Sequence, residues 1–594
     1  MSFLRFITIT IVFFALLPLC VFGGAQSLAD ETYTVVIDRN VPVKVRDGVT
    51  LHADVYRPKA EGKFPVILTR TPYDKTGSLD TCMRVAATGY VCVAQDCRGR
   101  YASEGEWYPF KHESEDGYDT IEWLAHQPYS TGVIGMWGAS YVGATQLLAA
   151  IARPPHLAGL FVIVTASDYH ENWAYQGGAF EQWFNESWTS GLAEDTMRRK
   201  TIGSAGSLQW SKAMPLANYP VIAPADAKDV APYFQDWLAH PNDDDYWKQW
   251  SIEADYSRIN IPVFHIGAWY DIFLGGTLRN YAGMKAGAGN DFSRSNQRLL
   301  VEIGGHSGNG RKVGEVDFGP QAEYDEAAVM LRWYDFLFKN ILNGMERDKP
   351  VRLFTMGLNQ WRGFDAWPPP GAKTTRMFLH SAGKANTSAG DGALNSSQPG
   401  KEPVDHYLYN PNDAVPTHGG PLCCAQSLLP PGPRDQAAIE KRPDVLVYTS
   451  APLKQDLDVT GPVTLDLFVQ SSGPDTDFTG KLVDVWPNGF AQNITEGILR
   501  MRYRDSRSQP SHVRAGEIYK ITVDLWATSN VFLAGHKLRI EISSSNYPRF
   551  DRNLNTGDPD IAHATRVLAA TNTILHDRAH PSAVVLSVLA DTSH

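Results

Sequence analysis

Short, mostly apolar runs at residues 65–68, 90–94, 133–137, 160–164, 261–266 and 299–303 recur along the first half of this chain. Runs of that length without polar alternation are strands buried on both faces, and the stretches between them, such as 117–125, have helical spacing. Strands that alternate with helices predict a parallel sheet in an α/β fold. Ahead of them Val43, Val45, Val49, Leu51, Ala53 and Val55 share one parity around an Asp47-Gly48 turn, so an antiparallel pair opens the domain. Helices are expected at 144–152, 276–284 and 321–340.

From Val351 the period changes to two. Val463, Leu465, Leu467 and Val469 alternate with Thr464 and Asp466, and the same pattern runs through Tyr519, Ile521, Val523 and Leu525 and through Leu538, Ile540 and Ile542. Many such strands between turns predict a sandwich or jelly roll. Between the two textures, residues 167–259 hold Trp173, Trp183, Trp188, Trp210, Trp237, Trp247 and Trp250 with little strand periodicity, which reads as a helical insertion. An insertion between parallel strands projects from the sheet edge where ligands bind, so a cap over the site is expected. Its tryptophans either line an acyl pocket or pack the insertion's own core.

The chain of 594 residues is 43% hydrophobic and 20% charged, enough for several cores. Residues 1–22 carry one charge, Arg5, then an apolar stretch, and Gly23-Gly24-Ala25 closes it. This predicts a signal peptide over 1–25, an exported protein and no membrane anchor after cleavage. The expected division is 1–25 signal peptide, 30–166 and 260–347 as the two parts of the α/β domain, 167–259 cap, and 348–594 jelly-roll β domain. Cleavage leaves Cys82, Cys92, Cys97, Cys423 and Cys424, an odd number, so one stays unpaired within the monomer and the pairing is open. No C-x-x-C or H-E-x-x-H pattern points to a metal, and no cofactor is expected. The net charge of −11, without a Lys/Arg run, argues against a nucleic-acid partner. Nothing in the pattern sets the oligomeric state.

The chemistry concentrates on Gly138-Ala139-Ser140-Tyr141-Val142-Gly143, which joins a strand-like run to a helix-like one. Such an elbow strains the serine backbone and lifts its hydroxyl to the sheet edge, although the second glycine falls at Gly143, one place later than in G-x-S-x-G. A serine hydroxyl needs a base, and the base needs an orienting carboxylate. Asp271 and His306 each follow a predicted strand, in the chain order serine, acid, histidine used by doubly wound hydrolases. His265 lies within a strand run rather than after it and ranks below His306. For the oxyanion, the Tyr141 N–H and the hydroxyl of Tyr73, in the loop after residues 66–70, are the candidate donors.

These residues, with Thr71-Pro72-Tyr73-Asp74-Lys75, Asp96-Cys97-Arg98-Gly99-Arg100, Gly117-Tyr118-Asp119-Thr120-Ile121-Glu122-Trp123 and Trp269-Tyr270-Asp271, resemble the cocaine-esterase and X-prolyl dipeptidyl-peptidase family of serine hydrolases. The resemblance extends to Gly535-His536-Lys537-Leu538-Arg539 and Ser543-Ser544-Ser545-Asn546-Tyr547-Pro548-Arg549-Phe550, and that family places its second glycine where Gly143 stands. It implies an α/β-hydrolase domain with a helical cap and a carboxy-terminal jelly roll. It also implies Ser140 as nucleophile, Asp271 as orienter, His306 as base, and Tyr73 and Tyr141 as oxyanion donors. Two departures stand out. Ile303-Gly304-Gly305 replaces the proline and tryptophan that often precede the histidine, and Ile272, Phe273 and Leu274 replace the acidic residues that hold a substrate ammonium in amino acid ester hydrolases. Gly419-Gly420-Pro421-Leu422-Cys423-Cys424 is similar to chains labelled glutaryl-cephalosporin acylase. The expected activity is cleavage of a small-molecule ester or amide through a covalent acyl-enzyme. The alternatives are an X-prolyl dipeptidyl-peptidase acting on short peptides and, from another class, a glycan- or surface-binding protein on an inactive hydrolase scaffold.

Overall fold

The computed structural model describes residues 32–199, 214–218, 230–306, 308 and 310–590. The expected signal peptide over 1–25, and Trp210, lie outside them. A ten-stranded mixed sheet forms the first domain. Its strands β1 (Val35–Lys44), β2 (Thr50–Pro58), β3 (Phe64–Thr71), β4 (Val91–Asp96), β5 (Ser130–Ala139) and β6 (Leu157–Ile163) lie in the order β1-β2-β4-β3-β5-β6. The strands Val263–Tyr270, Arg298–Gly305, Val351–Thr355 and Gln360–Phe364 continue that order. Pairing is antiparallel from β1 to β4 and parallel from there to Val351–Thr355. The opening hairpin forms around Gly48, at φ 91°.

The central runs are buried as their composition requires: every residue of β4 and of Val263–Tyr270 is inside. One face of the sheet packs on α2 (Glu113–Ala125) and α3 (Tyr141–Ile151), the other on α1 (Leu79–Ala87) and the helix Glu326–Phe338, whose Met330, Trp333 and Tyr334 reach the core. A further helix, Leu274–Gly287, lies close to its expected position.

The change of texture at Val351 comes before the change of sheet, so the first strands of the 348–594 segment belong to the first sheet. Val351–Thr355 pairs in parallel with Arg298–Gly305, and Gln360–Phe364 closes the edge antiparallel. An edge hairpin buries one side of each strand, with Val351 and Leu353 in and Arg352 out, so it alternates like an all-β segment. The second sheet begins at Lys373–His380 and links eleven strands. Its long antiparallel pair, Leu457–Ser471 with Tyr519–Phe532, buries Val463, Leu465, Leu467, Val469, Ile521, Val523 and Leu525, while Tyr519, which the alternation also selected, is half-buried.

Within 167–259 the described residues are mainly helical, led by α4 (Gln182–Arg199) and Pro232–Ala239, with a short hairpin at Tyr175–Gln176 and Ala179–Phe180. This segment touches both sheets. Trp188 stacks on Tyr141 and Trp237, and Trp173 meets Phe110 edge-on, so the tryptophans share a core with the α/β domain instead of packing a core of their own. From the β-rich side Arg549, fully buried, donates to Glu496 at 2.6 Å and to Gln176 at 2.8 Å, while Asp551 accepts from the Phe180 N–H at 2.7 Å. The run Ser543 to Phe550 noted in the sequence is thus the clasp between the insertion and the second domain.

Candidate active site

Ser140 sits at the turn between β5 and α3 with φ 62° and ψ −126°, a conformation that costs a side-chain-bearing residue free energy. The neighbours must be small. A Cβ on Gly138 would stand 2.2 Å from Val142 Cγ1, and one on Gly143 would stand 2.8 Å from Thr165 Cβ. The Gly143 position is where α3 crosses the end of β6, so the later glycine serves helix–strand packing rather than the turn. The Ser140 N–H donates to the Ile163 carbonyl at 2.9 Å and the Thr165 hydroxyl to the Ser140 carbonyl at 2.8 Å, which hold the elbow to the next strand.

Asp271 follows Val263–Tyr270 and His306 follows Arg298–Gly305, at the same edge of the sheet. His306 Nε2 lies 2.9 Å from Ser140 Oγ, and His306 Nδ1 lies 2.6 Å from Asp271 Oδ1. Asp271 is fully buried, and its other oxygen accepts from the Phe273 N–H at 2.9 Å. Phe273 meets the His306 ring edge-on at 5.1 Å and stacks on Trp173 at 4.7 Å. Phe273, one of the apolar residues after Asp271, therefore braces the imidazole. Glu302, on the same strand as His306, is buried, and burial followed by Glu326 and Asp271 pushes its carboxyl well up, favouring the neutral form beside Asp271. His265 is elsewhere: it is fully buried against Gln297 at 2.9 Å, and burial pushes its pKa down to about 4.

Tyr73 comes to the same point from the end of β3. The Trp188 indole N–H donates to the Tyr73 oxygen at 2.8 Å, so the tyrosine's own proton is directed elsewhere, and Ser140 is its other hydroxyl neighbour. Tyr73 as a whole is 39% exposed, but burial around its hydroxyl pushes it up to about 12, leaving it a donor at neutral pH. Tyr141 opens α3, and the first N–H of a helix has no intrahelical acceptor. Its side chain points away, donating to Glu113 at 3.0 Å and accepting from the Phe110 N–H at 2.8 Å.

The other sequence motifs hold this loop in place. Buried Lys75 pairs with buried Asp96 at 2.8 Å, and Arg100, fully buried, donates to the Pro72 carbonyl at 2.9 Å and to the Leu192 carbonyl of α4 at 3.1 Å. Above Ser140 opens a cavity of about 370 Å³ lined by Thr71, Tyr73, Trp137, Val142, Trp188 and His306, with Cys423 and Cys424 on its wall. Sequence reasoning brought together Ser140, Asp271, His306 and Tyr73, but not Trp188 as the partner of Tyr73 or the two cysteines as cavity lining. Trp188 was visible only as one of seven tryptophans, and the cysteines are far away in the chain.

A family model for X-Pro dipeptidyl-peptidases (S15 family) matches residues 47–308, and one for the X-Pro dipeptidyl-peptidase C-terminal non-catalytic domain matches residues 343–585. Cocaine esterase from Rhodococcus sp. (strain MB1 Bresler) is 36% identical over 588 residues, covering 95% of this chain and all of the relative. The chain belongs to this family of serine hydrolases. Family membership makes it a hydrolase of the serine-esterase kind. An aminopeptidase from a marine sediment archaeon, Thaumarchaeota archaeon, superimposes with a TM-score of 0.80 at 25% identity, covering 94% of this chain and 97% of that one. An α-amino acid ester hydrolase superimposes with a TM-score of 0.80 at 24% identity over 97% of this chain and 100% of that one, a likeness of fold. The family thus includes both esterases and peptidases, and the choice between them rests on the cavity.

Proposed function

We propose that this member of the family is an exported esterase that cleaves an uncharged ester by way of an acyl-enzyme on Ser140. The observation that carries the reading is the relay from Ser140 Oγ through His306 to Asp271, at 2.9 Å and 2.6 Å. His306 takes the serine proton as Oγ attacks the carbonyl carbon, Asp271 fixes the tautomer that leaves Nε2 as acceptor, and the imidazolium returns the proton to the leaving alcohol. The oxyanion is held by the Tyr73 hydroxyl and the Tyr141 N–H. Water activated by His306 then releases the acid.

The cavity favours an ester over an X-Pro peptide. A dipeptidyl-peptidase must hold a free ammonium, and among the described residues that line this cavity there is no carboxylate, whereas Glu302, Asp325 and Glu326 line an adjoining cavity that shares Ala139 and His306. Export is supported by the leader-like residues 1–25 and by the disulfides Cys82–Cys92 and Cys423–Cys424, which suit an oxidising compartment. A panel of aryl acyl esters and X-Pro anilides on the purified protein tests the reading. Ester turnover that disappears in Ser140→Ala is expected, and exclusive cleavage of the X-Pro anilide rejects it. Fractionation of cells expressing the chain with and without residues 1–25 tests export.

A further inference from the structure

The segment matched as a non-catalytic domain supplies part of the wall of the catalytic cavity. Gly420 and Gly432 exchange N–H···O bonds at 2.8 Å and 2.9 Å, pinching off a loop that leaves the β-rich domain and reaches the Ser140 cavity. At its tip Cys423 and Cys424, adjacent in the chain, are joined by a disulfide, and Cys97 is the free cysteine among the described residues. The tip is fixed on both sides: Leu422 and Cys423 are buried, and the Cys424 carbonyl accepts from the Trp183 indole N–H of the cap at 3.1 Å. Cys424 and Ala425 both have positive φ, 65° and 45°, which residues with side chains adopt at a cost and which gathers at ligand sites.

We infer that the Cys423–Cys424 disulfide is a substrate-contacting surface that selects an apolar, ring-sized substituent of the ester. This rests on the esterase reading above. A disulfide closing across one peptide bond presents two polarizable sulfurs and no N–H or O–H donor, on a tip that cannot rotate freely. Around the same cavity stand Trp137, Val142 and Trp188, and among its described lining there is no Asp, Glu, Lys or Arg. Sulfur against an aromatic edge is a favourable contact, and the indoles offer faces to the same ring. Opening the disulfide replaces this surface by two thiols free to turn.

The test has two parts. Denatured, unreduced protein is alkylated and mapped by mass spectrometry, with Cys423 and Cys424 expected unlabelled. The ratio of kcat/KM for p-nitrophenyl phenylacetate to that for p-nitrophenyl acetate is then compared between wild type and Cys423→Ser/Cys424→Ser. The ratio is expected to fall roughly five- to tenfold. Should the variant fold poorly, wild-type protein reduced with a phosphine gives the same readout: the phosphine gives two electrons to the disulfide, and one water supplies the oxygen of the phosphine oxide and the two protons of the thiols. A Cys82→Ser/Cys92→Ser background leaves the vicinal pair as the one responding bridge among the described cysteines. Alkylation of both cysteines in unreduced protein overturns the inference, as does an unchanged ratio. Labelling of wild-type Ser140 by a small fluorophosphonate reads the esterase proposal separately: no labelling rejects that proposal and this one with it, whereas labelling with an unchanged ratio rejects this one alone.

Discussion

Trp188 of the cap donates its indole N–H to the hydroxyl oxygen of Tyr73 at 2.8 Å. The bond ties a helix of the insertion to a loop of the main sheet, and it settles where the tyrosine proton can point.

Removing that proton is expected to be costly. Tyr73→Phe should lower kcat by roughly 10²–10³-fold with KM little changed, the usual loss of one oxyanion donor. Trp188→Phe keeps the ring and loses only the N–H, so a smaller fall in kcat, about tenfold, is expected. Steady-state kinetics on one aryl ester measures both, and a Tyr73→Phe enzyme at wild-type kcat rules out the oxyanion role.

Asp271→Asn keeps the shape of the orienter and removes its charge. The loss in kcat should be about 10³–10⁴-fold, because the imidazolium is no longer stabilised and the wrong tautomer is favoured. Far-UV dichroism should match wild type, which separates this from a folding defect.

The Lys75–Asp96 pair is buried, and the burial of Asp96 raises its pKa in spite of the lysine, so desolvation outweighs attraction. Lys75→Met leaves an unpaired carboxylate and should cost about 3–5 kcal/mol. Lys75→Met/Asp96→Leu should recover much of that. Denaturant unfolding compares the two, and a double variant less stable than the single contradicts the argument.

His265 makes the fold acid-sensitive. Its folded pKa is pushed down to about 4, below the ordinary imidazole value, so the unfolded chain takes up a proton that the folded one refuses. The stability is fully present above about pH 6.5 and is lost as pH falls toward about 4, by roughly 3 kcal/mol in all. In His265→Gln, the drop in unfolding free energy between neutral pH and pH 4.5 should be smaller by about 2.5 kcal/mol, the part of that loss reached by pH 4.5. An unchanged drop assigns the acid sensitivity to other groups.

Much was legible along the chain because it is local. The continuous apolar runs became the buried strands, the period-two segments became the second sheet, and the displaced Gly143 marked a close helix crossing. Each signal is written in neighbouring residues by burial and backbone sterics. The edge hairpin at 351–364 reads like the second sheet for the same reason, since one-sided burial writes the same alternation in either sheet.

The sequence by itself determined the elbow at Ser140, the strand ends that carry Asp271 and His306, and the family. Only the tertiary structure decided that Trp188 partners Tyr73, that Arg549 clasps the insertion, and that Cys423 and Cys424 face Ser140 across the cavity. Those pairs are joined by hydrogen bonds and walls between elements more than a hundred residues apart. No periodicity spans such a distance, because it is chain folding, not local propensity, that brings the partners within bonding reach.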